Sequence, residues 1–157
     1  MRSKQFVVFG KGKSMLRKLT STSSSWVTVP LRLALGISFI GHGAQKVLGS
    51  FNGPGFAKFT SFPAPFPFLR PAWLWMGAAA VSELIGGVLV LLGLFTRVGA
   101  FLITCVMLVA ICGVLWPAFF APAGMELAIA MLGMALALLI AGGGQASVDR
   151  MIGGRRR

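Results

Sequence analysis

Three polar side chains interrupt an apolar stretch of this chain, the segment FIGHGAQKVLG. His42, Gln45 and Lys46 stand three and four positions apart, a spacing that groups side chains on one face of a helix. The chain holds only three acids, and two of them, Glu83 and Glu126, fall within or at the edge of other apolar stretches. Imidazole, ammonium and carboxylate groups held out of water can bind a small polar ligand and move protons. These five residues form the candidate pocket.

The expected geometry turns this polar face into the protein interior, toward the two glutamates. Glu83 follows Ala72 by eleven residues, so it lies about 16 Å along a helix that begins there, where an unpaired carboxylate is costly. Pairing of Glu126 with Lys46 or His42 is sterically reasonable. A simpler role stays open for each residue. A protonated Glu83 could donate a hydrogen bond to the backbone, Lys46 could extend to the lipid headgroups, and His42 could be a hydrogen-bonded core residue.

The residues present disfavour several other kinds of chemistry. Cys105 and Cys112 stand seven positions apart, about 10 Å along a helix, which is too far for a mutual disulfide. With no CxxC motif and one histidine, neither a self-contained thiol oxidase nor a bis-histidine haem within one chain is expected. No spacing typical of a metal site occurs, so we expect no bound metal and no covalently bound cofactor.

The elements that must position these residues are apolar helices. Hydrophobic residues make up 56% of the 157-residue chain, charged residues 11%, and the mean hydropathy is +0.84, values typical of an integral membrane protein. The pattern predicts an all-α, integral membrane four-helix bundle with spans at 27–48, 72–94, 98–115 and 125–141. A Phe- and Pro-rich loop between the first two spans is expected at the membrane interface, with a short helix at 56–62.

This interpretation divides the chain into a basic tail at 1–25, one membrane domain at 26–141 and a basic tail at 142–157. A signal peptide is the competing interpretation of the N-terminus, but the apolar run that follows is long enough to span a bilayer.

Lysine and arginine are concentrated on one side of the predicted topology. Both tails and the turn that contains Arg97 share that side, whereas the other side has only Lys58 and Arg70. The positive-inside rule therefore predicts a multi-pass protein with both termini in the cytoplasm, and it leaves Arg32 and Arg97 near that boundary with no special role. The net charge of +12 is explained by topology and attraction to anionic lipid, and nucleic acid is not an expected partner. An interfacial aromatic belt is predicted on the other side, formed by Trp73, Trp75, Trp116, Phe119 and Phe120.

The order of these features resembles the DoxX family of four-helix membrane proteins. The resemblance covers residues 31–152 and rests on the HGxxK run from His42, the FxGPG turn from Phe51, the ELxGG segment from Glu83, the GLFTR turn, and Glu126. It implies a bundle in a bacterial-type inner (plasma) membrane that is associated with redox metabolism. Members of the family include thiosulfate:quinone oxidoreductase subunits and components of oxidative-stress complexes.

Three functions are consistent with the sequence. The first is a redox-linked subunit that holds a quinone or a small sulfur anion in the candidate pocket, with other membrane or soluble redox chains, or further copies of itself, as partners. The second is a non-catalytic accessory subunit in which the polar residues only lock helices together. The third is a small-solute carrier, for which four spans without repeats offer little basis for alternating access.

Overall fold

The computed structural model describes residues 19–120 and 124–153. These residues form six α-helices and no strand. The helices are α1 (Thr28–Leu48), α2 (Gly55–Thr60), α3 (Ala72–Leu92), α4 (Thr96–Ala110), α5 (Glu126–Ala141) and α6 (Val148–Gly153). A π-helical turn, Ile111–Leu115, extends α4.

The all-α prediction is confirmed, and the long helices lie where the apolar stretches placed them. Their ends differ from the predicted ones by no more than two residues when the π-helical turn is counted with α4. The short helix expected at 56–62 is α2. Most of the basic tail predicted at 1–25, namely residues 1–18, lies outside the described residues, as do the last four residues of the chain.

Two of the helices are long and apolar enough to cross a membrane, judged by length and composition. They are Ala72–Leu92, with a hydropathy of 1.8, and Thr96–Leu115, with a hydropathy of 2.7. Helix α5 is apolar but has only 16 residues, and α1 has 21 residues but carries the polar side chains singled out above. Membrane insertion of the four long helices therefore stays a prediction.

The four long helices pack in a closed order around a shared apolar core. Helix α1 contacts α3, α3 contacts α4, α4 contacts α5, and a sparser contact between α5 and α1 completes the ring. The core contains fully buried side chains from all four helices, among them Leu35, Val90, Ile103 and Leu138. This arrangement fixes which side of each helix turns inward.

Candidate functional site

A buried ion pair joins α1 to α3. The Lys46 Nζ atom lies 2.5 Å from both carboxylate oxygens of Glu83, so the ammonium group donates to both. The Glu83 side chain is 4% exposed and the Lys46 side chain 26% exposed. Because a charge in such surroundings is costly without a partner, each group makes the burial of the other tolerable.

Glycines bring the two helices close enough for this pair to form. A Cβ atom added at Gly43 would lie 2.5 Å from the backbone nitrogen of Leu84, the residue after Glu83. Added Cβ atoms at Gly36 and Gly87 would likewise meet the facing helix at 2.8 and 2.7 Å. The backbones of α1 and α3 are therefore in near contact, as small residues allow in helix pairs. This contact sets the rotation of α1 and aims Lys46 at Glu83.

Helix α2 covers the pair from one end of the bundle. The ring of Phe59 lies 5.3 Å from the Lys46 Nζ atom, within the range of a cation–π contact. The same helix rests on α3 at Gly77, where an added Cβ would meet the Phe56 ring at 3.2 Å. The ammonium group thus lies between a carboxylate and an aromatic face.

The other three candidate residues are not members of this pair. Gln45 is half-buried, and His42 is exposed on the surface of α1 instead of turning inward as expected. Consecutive residues stand about 100° apart around a helix, so when Lys46 points at α3 its neighbour Gln45 cannot. Glu126 is exposed at the start of α5, and the partner that Lys46 takes is Glu83. A ligand-binding role for these residues stays a prediction.

The five aromatic residues predicted to form a belt are exposed at one end of the bundle. Trp73 and Trp75 lie in the first turn of α3, and Trp116 ends the π-helical turn that extends α4. Because α3 and α4 are antiparallel neighbours, these positions share an end. Phe119 and Phe120 follow three residues later in the chain, and their rings pack edge to face with centroids 5.0 Å apart.

Sequence reasoning missed a second polar cluster at the opposite end of the bundle. Arg32 is 5% exposed, and its guanidinium group donates to five backbone carbonyls. Two of the acceptors, Val90 and Leu91, belong to the last turn of α3, where helical carbonyls lack intrahelical partners. The other three belong to the segment after α5, at residues 143, 145 and 146. The only signal in the sequence was an arginine within an apolar run.

Asp149 completes this cluster. The residue is 1% exposed, and its carboxylate accepts hydrogen bonds from the backbone N–H groups of Phe95 and Thr96 at 2.7 and 2.8 Å. These groups belong to the unsatisfied donors at the start of α4, so Asp149 acts as a cap supplied from a distant part of the chain. Gly93, in the turn between α3 and α4, has a φ of 67°, and a Cβ there would lie 2.6 Å from the guanidinium carbon of Arg32.

The described residues show no group of three His, Cys, Asp or Glu side chains that could hold a metal ion. Cys105 and Cys112 are free thiols exposed on the surface of the bundle.

Comparison with known families matches the DoxX profile to residues 27–116, which is more than half of the chain. The chain belongs to the DoxX family. The matched part of this DoxX protein contains α1 to α4 and both members of the ion pair, whereas Glu126 lies beyond it. No curated protein and no solved structure matches the chain.

Proposed function

We propose that this DoxX protein is a small subunit of a redox system in a bacterial-type inner membrane, linked to quinone or to sulfur and oxidative-stress chemistry. The observation that carries the proposal is the buried Lys46–Glu83 pair one helical turn from the exposed imidazole of His42. Replacing a buried ion pair by apolar residues is often neutral or stabilising, so stability alone is a weak reason for such a pair. Ionisable groups inside membrane helices are functional candidates by default.

In the proposed topology α1, α3, α4 and α5 all cross the bilayer, with both termini in the cytoplasm. The excess of basic residues at one end supports this orientation, and the exposed tryptophans at the other end suit a membrane interface. At about 1.5 Å per residue, His42 then lies about 9 Å below the outer end of α1. An imidazole exposed there meets the membrane, where lipid-soluble quinones are dissolved.

The residues of the site have the chemistry that a quinone headgroup needs. A quinone is reduced to a quinol when it takes up two electrons and two protons. His42 can donate a hydrogen bond to a carbonyl oxygen and pass on a proton. Lys46 lies one turn further along α1, and its pair with Glu83 contains exchangeable protons. A redox centre on a partner chain supplies the electrons.

A second candidate function is a non-catalytic accessory subunit. The specific observation in its favour is that the ion pair forms where glycines bring α1 and α3 into closest contact, so it can serve as a lock between helices. In that case the polar residues matter only for folding and assembly, and the exposed aromatic end contacts lipid or larger partner chains.

One experiment separates the two functions. Wild type, His42→Ala and Glu83→Gln are purified gently from membranes, and co-purifying quinone and partner chains are quantified by mass spectrometry. Lys58→Gln is the matched control, because it removes an exposed charge outside the candidate pocket. Quinone that is retained by the wild type and the control but lost from folded, assembled His42→Ala supports the redox site. Partner chains at fixed stoichiometry without quinone in any sample support the accessory role and refute the redox site.

A further inference from the structure

Two buried charged residues and an aromatic residue share one face of α1. Arg32, Phe39 and Lys46 follow one another at intervals of seven residues. Seven residues make nearly two helical turns, so the three side chains leave α1 in almost the same direction. Arg32 and Lys46 stand about 21 Å apart along the helix axis, and Phe39 lies midway between them. The interior of the bundle therefore has a charged group toward each end and an aromatic ring between the two.

The Lys46–Glu83 pair lies close to the end of the bundle that carries the exposed tryptophans, which we call the aromatic end. Lys46 is two residues from Leu48, the last residue of α1, a distance of about 3 Å along the axis. Its side chain is partly exposed, whereas that of Glu83 is buried. Lys46 therefore connects the buried carboxylate to water at the aromatic end.

An apolar layer separates the pair from the Arg32 cluster. It is formed by Leu35, Phe39, Ile103 and Leu138, which are each no more than 1% exposed and belong to one cluster of buried side chains. A Cβ added at Gly87 would lie 3.0 Å from the carbonyl carbon of Phe39, so α3 packs directly against α1 at this level. The layer thus takes its side chains from α1, α4 and α5, and the backbone of α3 closes it on the fourth side.

The apolar layer offers protons almost no polar side chains. Among the described residues, Thr104 is the buried polar side chain that lies between the pair and the Arg32 cluster, and its hydroxyl donates to the carbonyl of Ala100 in its own helix at 2.8 Å. The other buried polar side chains outside the pair lie at the Arg32 end and are Thr20, Thr28, Arg32, Thr96, Ser147 and Asp149. Proton relays inside membrane proteins run along chains of ionisable side chains. In the described part of the chain, no such relay crosses the layer.

We propose that the Lys46–Glu83 pair exchanges protons with water at the aromatic end only, and that the apolar layer around Phe39 closes the route to the Arg32 end. A proton that Lys46 gives to a bound ligand is then replaced from the aromatic end, which is the outer side in the proposed topology. The protein passes no proton from one side to the other. This inference deepens the proposed function, on which it rests for the ligand and for the naming of the two sides, whereas the separation of the two ends rests on the packing.

Thiol labelling in sealed membrane vesicles tests this inference without any quinone. A membrane-impermeant, positively charged methanethiosulfonate is added to right-side-out or to inside-out vesicles that contain the full-length protein, so that it meets one face at a time. The exposed native thiols are first removed by Cys105→Ser/Cys112→Ser. In that background Lys58→Cys and Ser24→Cys, which replace exposed residues, mark the faces on which the aromatic end and the Arg32 end lie.

The test variant places a thiol at the pair. In Lys46→Cys/Glu83→Gln no carboxylate is left without a partner, and the thiol should react from the face that labels Lys58→Cys. Its reaction from the face that labels Ser24→Cys should be at least about fiftyfold slower, because a charged reagent is excluded from an apolar membrane interior by roughly that factor. Leu35→Cys, which places a thiol inside the layer, should react from neither face until the protein is denatured.

Proton leak gives a second measurement, in which the pair is intact. Lipid vesicles that contain the purified wild type should be as tight to protons under an imposed membrane potential as vesicles without protein. Phe39→Gln places a polar side chain in the layer, where it can hold water, and should raise the leak. Phe101→Gln, the same change at an exposed position of α4, is the matched control and should leave the leak at the wild-type value.

The inference would be overturned if the thiol of Lys46→Cys/Glu83→Gln reacted from both faces, from neither, or only from the face that labels Ser24→Cys. A proton leak through the wild type, or an unchanged leak in folded Phe39→Gln, would overturn it as well. Markers that both react from one face would refute a membrane-spanning bundle and the inference with it. If the two markers exchange faces, the proposed topology is reversed, but the pair should still react from the face of Lys58→Cys. Absence of a quinone site would likewise leave this labelling pattern unchanged.

Discussion

Replacing Lys46 and replacing Glu83 should lower the free energy of unfolding by unequal amounts, although each change breaks the same ion pair. In Lys46→Met the Glu83 carboxylate, whose side chain is 4% exposed, is left without its partner. Removing one member of a buried pair costs about 3–5 kcal/mol. In Glu83→Gln the lysine side chain, which is 26% exposed, can move its ammonium group toward the surface. We expect that change to cost only about 1–3 kcal/mol.

The double variant gives the sharpest test, because the sign of one substitution should reverse. Glu83→Gln destabilises the wild type, but in the Lys46→Met background it removes an unpaired charge and should restore about 2 kcal/mol. The free energy of unfolding can be followed by tryptophan fluorescence during titration with a denaturing detergent, since the chain has four tryptophans. Lys58→Met, an exposed change at the same end, is the control and should stay within about 0.5 kcal/mol. Equal losses in the single variants, or further loss in the double variant, would refute a charged, buried pair.

Three further changes probe how the helices are held together. Arg32→Lys should lower the free energy of unfolding by about 2–4 kcal/mol and increase amide hydrogen exchange in the segment that follows α5. The reason is that one ammonium group cannot donate to five carbonyls. Unchanged hydrogen exchange in that segment would contradict this role of Arg32. Asp149→Ala should remove the cap of α4 and cost about 0.5–2 kcal/mol in the same unfolding titration, with Asp149→Asn losing less. Gly43→Ala should push α1 away from α3 and destabilise the protein by more than about 1 kcal/mol, whereas Gly41→Ala, with open space around its Cβ, should be neutral or stabilising through helix propensity. Equal unfolding free energies for the two alanine variants would argue against close packing of α1 on α3.

Much of the secondary structure could be predicted from the sequence because its signals are local. Long apolar runs bounded by glycine, proline or charge predict helices, and the ends of α1 and α3 were placed within two residues. The motifs from His42 to the GLFTR turn likewise identified the family, which the match over residues 27–116 confirms. These features depend only on residues that are close together in the chain.

The site was predicted only in part, because helical periodicity gives a face but not its direction. The spacing of His42, Gln45 and Lys46 defined a polar face, and the expectation was that all of it turned inward. The inward direction is set instead by the contact of Gly43 with α3, which leaves His42 exposed.

By itself, then, the sequence determined the all-α class, the positions of the helices and membership of the DoxX family. It also determined which helix ends carry basic residues and which carry aromatic residues. Only the tertiary structure decided that Lys46 pairs with Glu83, and that Arg32 and Asp149 join the last segment of the chain to α3 and α4. The physical reason is that these contacts span from 37 to more than 100 positions of sequence. They depend on which helices are neighbours and on how each is rotated, and both are set by the packing of the whole bundle.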